Sequence, residues 1–346
     1  TNDDPTAVTL SSTSIDENIS GGVIGNLTTS DDDNVHGDSH TYALSGVDAD
    51  SFEVVNGQLK LKSGVSPNYE IKSSYAVTVT STDAAGSSFV QSFSLNINDV
   101  NDAPTNITLS ANAIDENIDG VIIGDLSSND EDAGDTVTYA LSGSHGLYFE
   151  VVNGQLKLKS GTSANFEDNA TLSVTVTATD SGGLTTNQTF SINIADVNDS
   201  PTAIQISTNS LVSGLVAGTV GTLTTTDEDD GESFTYTVSD DRFEIVDGLL
   251  KLKADQSIDY NNEATVDLQI TVTDGQGAEY TETFTIRVGD IQLDSYTFNE
   301  NTAGINVGNL TVVGLDAGSS GYTYSLSGED ARYFEITSAG MLKMKD

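Results

Sequence analysis

Thirteen residues, FEVVNGQLKLKSG, fill Phe52–Gly64 and return unchanged at Phe149–Gly161, a spacing of 149 − 52 = 97 residues. A fixed period of this kind marks the unit that folds, and it constrains the chain more than any local propensity. Looser copies, FEIVDGLLKLK from Phe243 and FEITSAGMLKMK from Phe334, extend the series to four units, the fourth stopping half way. The phrase DVND at Asp99–Asp102 and again at Asp196–Asp199 places the boundaries at 1–102, 103–199, 200–292 and 293–346. The incomplete last unit, and a start at Thr1-Asn2-Asp3-Asp4-Pro5 with neither a basic nor an apolar leader, read as a segment of a longer chain. A module split by an inserted domain is the other reading of the fourth unit.

Within a unit, apolar residues alternate with polar ones. Tyr75, Val77 and Val79 interleave with Ala76, Thr78 and Thr80, and the pattern returns at Leu172, Val174 and Val176 and at Phe284, Ile286 and Val288. A period of two means a strand with one buried face. Asn56-Gly57, Asn153-Gly154 and Asp247-Gly248 stand between apolar runs, where a two-residue hairpin needs positive φ at both turn positions. With no helical periodicity and roughly seven short strands per unit, the expected fold is all-β: Ig-like Greek-key β-sandwich domains in a linear tandem array.

The charge is as uneven as the pattern is regular. Fifty-three acidic residues stand against twelve basic ones, a formal net charge of −41, which repels nucleic acid and anionic membranes and favours a cationic partner. With no cysteine, disulfide frameworks, thiol enzymes and Fe–S proteins are excluded. No apolar run is long enough to span a bilayer. Eight of the twelve basic residues, Lys60, Lys62, Lys157, Lys159, Lys251, Lys253, Lys343 and Lys345, line the outgoing arm of the repeated hairpin. They read as solvent-facing charges that keep an edge strand from pairing with other chains.

The acidic residues recur at fixed places. Asp16-Glu17-Asn18 and Asp115-Glu116-Asn117 come early in a unit, then Asp31/Asp33, Asp130/Asp132 and Asp227/Asp229. Glu70 and Glu167 follow the hairpin, Asp83, Asp180 and Asp274 close a later strand, and the DVND phrase ends the unit. Carboxylates and amide oxygens without His or Cys form a hard-oxygen donor set suited to Ca²⁺, less well to Mg²⁺. An EF-hand does not fit, because Gly134 and Leu141 stand where loop ligands are needed. The donors must converge from separate loops.

In the order of these five motifs, the sequence resembles the cadherin tandem repeats, and more closely the cadherin-like repeats of large RTX-type bacterial surface adhesins that build biofilms. The resemblance covers three units and half of a fourth, and it implies calcium ions between consecutive domains. It assigns the first junction to Glu17, Glu70, Asp99, Asn101, Asp102, Asp130, Asp132 and Asp180. The second falls to Glu116, Glu167, Asp196, Asn198, Asp199, Asp227, Asp229 and Asp274. Asn2, Asp3, Asp31, Asp33 and Asp83 match the lower half of a junction with a domain before residue 1. Asn68 and Asn165 replace the family's Asp two positions before the mid-unit Glu, and Ala103 and Ser200 replace the last Asn of its linker. One ion per junction is therefore expected to be weak or missing.

The third unit has lost the pattern on both sides of its exit. Ser213 stands for the early Glu, Asn261 for the mid-unit Glu, Gln292 and Leu293 for the linker Asn-Asp, and Gly314 for the next unit's first Asp. That junction, near residues 290–294, is expected to bind no calcium and either to bend or to pack directly, through Ile291 and Leu293.

Catalysis has no residue set behind it: His36, His40 and His145 lie in polar stretches and read as solvated surface. The 23 aromatics, 12 Tyr and 11 Phe with no Trp, sit mostly at the inward phase of strands. The expectation is a calcium-rigidified extender of an extracellular, cell-surface adhesin. Its partners would be calcium ions and neighbouring repeats, and its ligand would be held by a domain elsewhere. A directly adhesive module contacting a protein or glycan is the alternative.

Overall fold

The repeated Asn-Gly and Asp-Gly pairs turn the chain where the sequence predicts. Asn56 and Gly57 have φ of 53° and 74°, Asn153 and Gly154 53° and 78°, and Asp247 and Gly248 51° and 73°. Both turn residues are left-handed, the type I′ geometry whose twist matches the flanking strands. The computed structural model describes residues 2–32, 39–299, 304–315 and 324–345. Two units divide the chain, Thr1–Ala195 and Asp196–Asp346.

In the first unit, eight strands make the first sandwich: β1 (Ala7–Leu10), β2 (Ser14–Asp16), β3 (Val23–Ser30), β4 (Thr41–Ser45), β5 (Phe52–Val55), β6 (Gln58–Leu61), β7 (Ser74–Thr82) and β8 (Ser88–Asn98). They form sheets ordered β1-β3-β6-β5 and β2-β8-β7-β4. There is one strand more than the spacing predicts, because the first strand changes sheets: β1 runs antiparallel to β3, and β2 runs parallel to β8. The switch is tight. A Cβ on Gly25 would lie 2.8 Å from the backbone nitrogen of Ser12, so β3 crosses that corner on a glycine.

The second sandwich repeats the order with β9 (Thr105–Leu109), β10 (Ala113–Asp115), β11 (Ile122–Asn129), β12 (Thr138–Ser142), β13 (Phe149–Val152), β14 (Gln155–Leu158), β15 (Thr171–Thr179) and β16 (Thr185–Ala195). In the other unit, β17 (Ala203–Ile206), β18 (Ser210–Val212), β19 (Thr219–Thr226), β20 (Thr235–Val238), β21 (Phe243–Val246), β22 (Leu249–Leu252), β23 (Thr265–Thr273) and β24 (Glu279–Leu293) form a third sandwich. It is followed by β25 (Asn306–Val313), β26 (Phe334–Ile336) and β27 (Met341–Met344).

Alternation decides the core. Leu59, Leu61, Val79 and Leu95 are fully buried, as are Leu156, Leu158, Val176 and Ile192 at the matching places, and the hairpin Phe52, Phe149 and Phe243 are buried with the cores of their own sandwiches. Among the described residues no helix is long and apolar enough to cross a membrane.

The lysine strand corrects the edge-strand expectation. β6 lies between β3 and β5, so Lys60 sits inside the sheet, opposite Glu53 and ion-paired to it at 3.3 Å. Lys157–Glu150, Lys251–Glu244 and Lys343–Glu335 repeat the pair. The alternating cations are cross-strand partners, one on each hairpin.

Candidate metal centre

Glu17 follows β2 and is almost fully buried, at 2% exposure. Its carboxylate accepts the N–H of Tyr69 at 2.6 Å and that of Val100 at 2.9 Å, joining the mid-unit loop to the segment after β8. Asn18 beside it has φ of 62°, which Asn tolerates better than most residues, and its amide donates to Asp102 at 3.0 Å. The loops that carry the acidic motifs are thus tied to one another at the end of the sandwich.

From the second sandwich, Asp132 accepts the Asp102 N–H at 2.7 Å, and Asp180 accepts the Asn101 amide at 2.9 Å. Glu17, Glu70 and Asp99 each place a carboxylate oxygen within 4.8 Å of the others, and so do Glu70, Asp102 and Glu131, and Asp130, Asp132 and Asp135. All eight residues assigned to the first junction therefore lie in one connected neighbourhood.

The eight carboxylates of these groups, drawn from two sandwiches, repel one another unless a counter-charge is present. Burial, then repulsion from Glu17, Asp99 and Asp132, raises the Glu70 carboxyl above its ordinary range. Burial, followed by Asp132 and Glu17, raises Asp99. Asp102 is raised by burial too, against the bond from Asn18. One oxygen each of Asp102, Asp130 and Asp135 is buried with no hydrogen-bond donor. Such an oxygen is costly unless a cation meets it. The donor set is all oxygen, so the residues fit a hard divalent cation with several ligands, as Ca²⁺ takes.

A second motif holds the linker. Asp180 accepts the N–H of Leu184 with one oxygen and Asn101 with the other. Burial works against its charge, but these bonds outweigh it and leave the carboxyl below its ordinary value. Asn2 bonds Asp83 at 2.9 Å, and Asn198 bonds Asp274 at 2.9 Å, in the same way. Gly182 leaves the room this needs, since a Cβ there would collide with the Asn101 amide. Gly182→Ala is expected to displace Asn101 and weaken calcium binding by about tenfold, on the scale of losing a supporting contact, in a calorimetric titration.

The acidic residues of the second junction are placed by each unit separately. In Thr1–Ala195, Glu116 is 1% exposed and accepts the Phe166 N–H at 2.7 Å, while Glu167 is exposed. In Asp196–Asp346, Asp229 accepts the Asp199 N–H at 2.8 Å, and Asp227 is raised by burial with one buried oxygen lacking a donor. Asp196 is exposed. Of the N-terminal set, Asp31 is buried against His40 at 3.2 Å and Asp3 is exposed. Asp33 and His36 lie outside the described residues. His40 and His145 are half-buried and bonded rather than solvated, His145 accepting the Ser173 N–H at 2.9 Å.

At the exit of the third sandwich the backbone takes over. β24 runs unbroken through 290–293, where Gln292 pairs with Thr311 and Leu293 with Leu310 on β25. Ile291 is 46% exposed, so it does not form the packing expected of it. The close approaches lie elsewhere: a Cβ on Gly289 would meet Leu315 at 2.5 Å, and one on Gly314 would meet the Tyr260 ring at 2.6 Å. Ser213 keeps one task of the lost Glu, accepting the Tyr260 N–H at 3.0 Å, and Asn261 turns back onto Asp259. Amides 290–293 are therefore expected to hold their hydrogen-exchange protection in chelator.

Sequence reasoning missed Glu131 and Asp135. Asn68 donates to Glu131 at 2.6 Å, and Ser181 donates to Asp135. The signal was present in Asp130-Glu131-Asp132-Ala133-Gly134-Asp135, an acidic loop in which Glu131 joins Glu70 and Asp102 while Asp135 joins Asp130 and Asp132.

Residues 103–195 match the family model "Putative Ig domain". The chain is 27% identical over 196 residues to human "Cadherin-related family member 2", covering 51% of this chain and 15% of that protein. It is 30% identical over 210 residues to human "Protocadherin Fat 1", covering 57% and 5%. It thus spans a small part of these relatives. Mouse cadherin-23 EC22-24 superposes with a TM-score of 0.59 at 20% identity, over 84% of this chain and all of that one. Protocadherin gamma B2 domains 3-6 give 0.56 at 17%, over 98% and 91%. The fold is a tandem of cadherin-like, Ig-like β-sandwiches.

Proposed function

We propose that this chain is a calcium-rigidified extender of an extracellular, cell-surface adhesin, of the RTX-type bacterial kind its motifs resemble. The observation that carries this reading is the junction inside Thr1–Ala195, where buried donorless oxygens of Asp102 and Asp130 sit with Glu17, Glu70 and Asp99. Bound there, Ca²⁺ would be held by Glu17, Glu70, Asp99, Asp102, Asp130 and Asp132, with Asn101 and Asp180 fixing the linker, and it would cancel their repulsion. The same side chains recur in sequence at Glu116, Glu167, Asp196, Asn198, Asp199, Asp227, Asp229 and Asp274. A site repeated along a tandem serves stiffness rather than a single reaction, so the chain's task is reach.

The affinity expected of such extracellular modules is about 10⁻⁴–10⁻³ M. Small-angle scattering with calcium and then with chelator tests the proposal. The maximum dimension is expected to be greater, and its distribution narrower, with calcium. An unchanged profile would remove the reading.

A further inference from the structure

The three sandwiches differ at one cleft, beside the loop that follows the hairpin. The loop backbone is the same in each: Lys72, Asn169 and Glu263 donate their N–H to Asn68, Asn165 and Asp259. In the first sandwich a cation of the chain lies beside this loop, Lys72 pairing with Asp48 and lying 4.6 Å from the centre of the Tyr75 ring. In the third, Arg242 spans Asp240 and Glu263, at 2.6 Å to each.

The second sandwich has neither plug. Asn169 replaces Lys72, Leu172 replaces Tyr75, and Tyr148 stands where Arg242 does. A cavity of about 240 Å³ opens, floored by buried Leu158, Ala164 and Leu172 and walled by Tyr148, with Asp168 and Asn169 at its rim. Tyr148 is 47% exposed and stacks on His145, and Leu147 beside it is 83% exposed. Among the described residues the Asp168 carboxylate has no ion-pair partner.

We propose that this cleft binds a lysine or arginine side chain of a partner polypeptide. In the two sister sandwiches a cation on an alkyl stem lies beside this same loop, paired with Asp48 or with Asp240 and Glu263, and here the chain does not supply one. The floor takes the stem, while the Tyr148 face and Asp168 take the charge. A chain of net charge −41 also draws basic partners. The site is lateral to the metal centre and goes beyond the extender reading, so it survives or fails independently of calcium.

The probes are N-acetyl-lysine methylamide and its arginine counterpart, titrated into the full chain in calcium while amide NMR shifts are followed. Saturating shifts at Ser163, Asp168 and Asn169 with millimolar half-points are expected. Asp168→Asn should weaken binding about threefold or more, in line with an exposed ion pair. The triple change His145→Asp, Asn169→Lys and Leu172→Tyr, which copies the first sandwich's Asp48, Lys72 and Tyr75, should abolish it. No shift at about 100 mM probe, shifts that persist in both variants, or a pyranose binding where the amine does not, would each overturn the proposal.

Discussion

Metal-stripped protein given about 10 mM CaCl₂ is expected to gain roughly 5–10 °C in the melting transition of Thr1–Ala195. With a dissociation constant near 10⁻⁴ M, a single site at that concentration stabilises the folded state by about 2.7 kcal/mol. The gain follows from what the metal-free junction lacks, because one oxygen each of Asp102, Asp130 and Asp135 is buried without a donor. Differential scanning calorimetry reads it directly, and a shift within a degree or two would refute the junction as a metal site.

Glu70, Asp99 and Asp102 of this junction fix a pH dependence of known sign. Glu70, Asp99 and Asp102 have folded-state values raised above their ordinary ones. A raised group contributes stability that is complete below its unfolded value and lost as pH rises through the folded one. Asp83, Asp180 and Asp274 are lowered, so their contribution is lost only below the ordinary carboxylate range. Between neutrality and about pH 4.5 the raised groups decide. Calcium-free protein is therefore expected to melt higher as pH falls through that window, and calcium-loaded protein lower, since protons then displace the ion.

Glu17 is the residue whose loss should cost most. Glu17→Ala removes the acceptor of two N–H groups, those of Tyr69 and Val100, and leaves a cavity at a site 2% exposed. Each orphaned donor costs about 1–3 kcal/mol, so a stability loss of roughly 2–6 kcal/mol is expected even without calcium. Calcium affinity should fall by at least a hundredfold, beyond the loss typical of an outer contact. The third sandwich suggests the control, because Ser213 accepts the Tyr260 N–H at this position without a carboxylate. Glu17→Ser should recover part of the calcium-free stability and none of the affinity. Equal behaviour of the two variants in calcium-free melts would show that the two N–H bonds carry no weight.

The fold was legible because it rests on local chemistry. The period of 97 set the unit, alternation set the buried face, and Asn-Gly or Asp-Gly set the hairpins, each through a rule that acts over a few residues. The split of the first strand was not legible, since the change of sheet at Ser11–Ser14 depends on how closely β3 passes at Gly25. Nor was the lysine pairing, because strand order places β6 inside its sheet and register sets Glu53 opposite Lys60.

The candidate site divides the same way. Repetition in the sequence picked out Glu17, Glu70, Asp99, Asn101, Asp102, Asp130, Asp132 and Asp180, since a residue kept at one phase of a period marks itself. Distance between loops does not appear in a string of letters. Tertiary structure brought Glu131 and Asp135 into the site, ran β24 straight through 290–293 in place of a linker, and opened a cleft beside the loop of the second sandwich. The sequence determined which donors exist and at what phase; packing determined which of them meet, because contact is a property of the folded backbone.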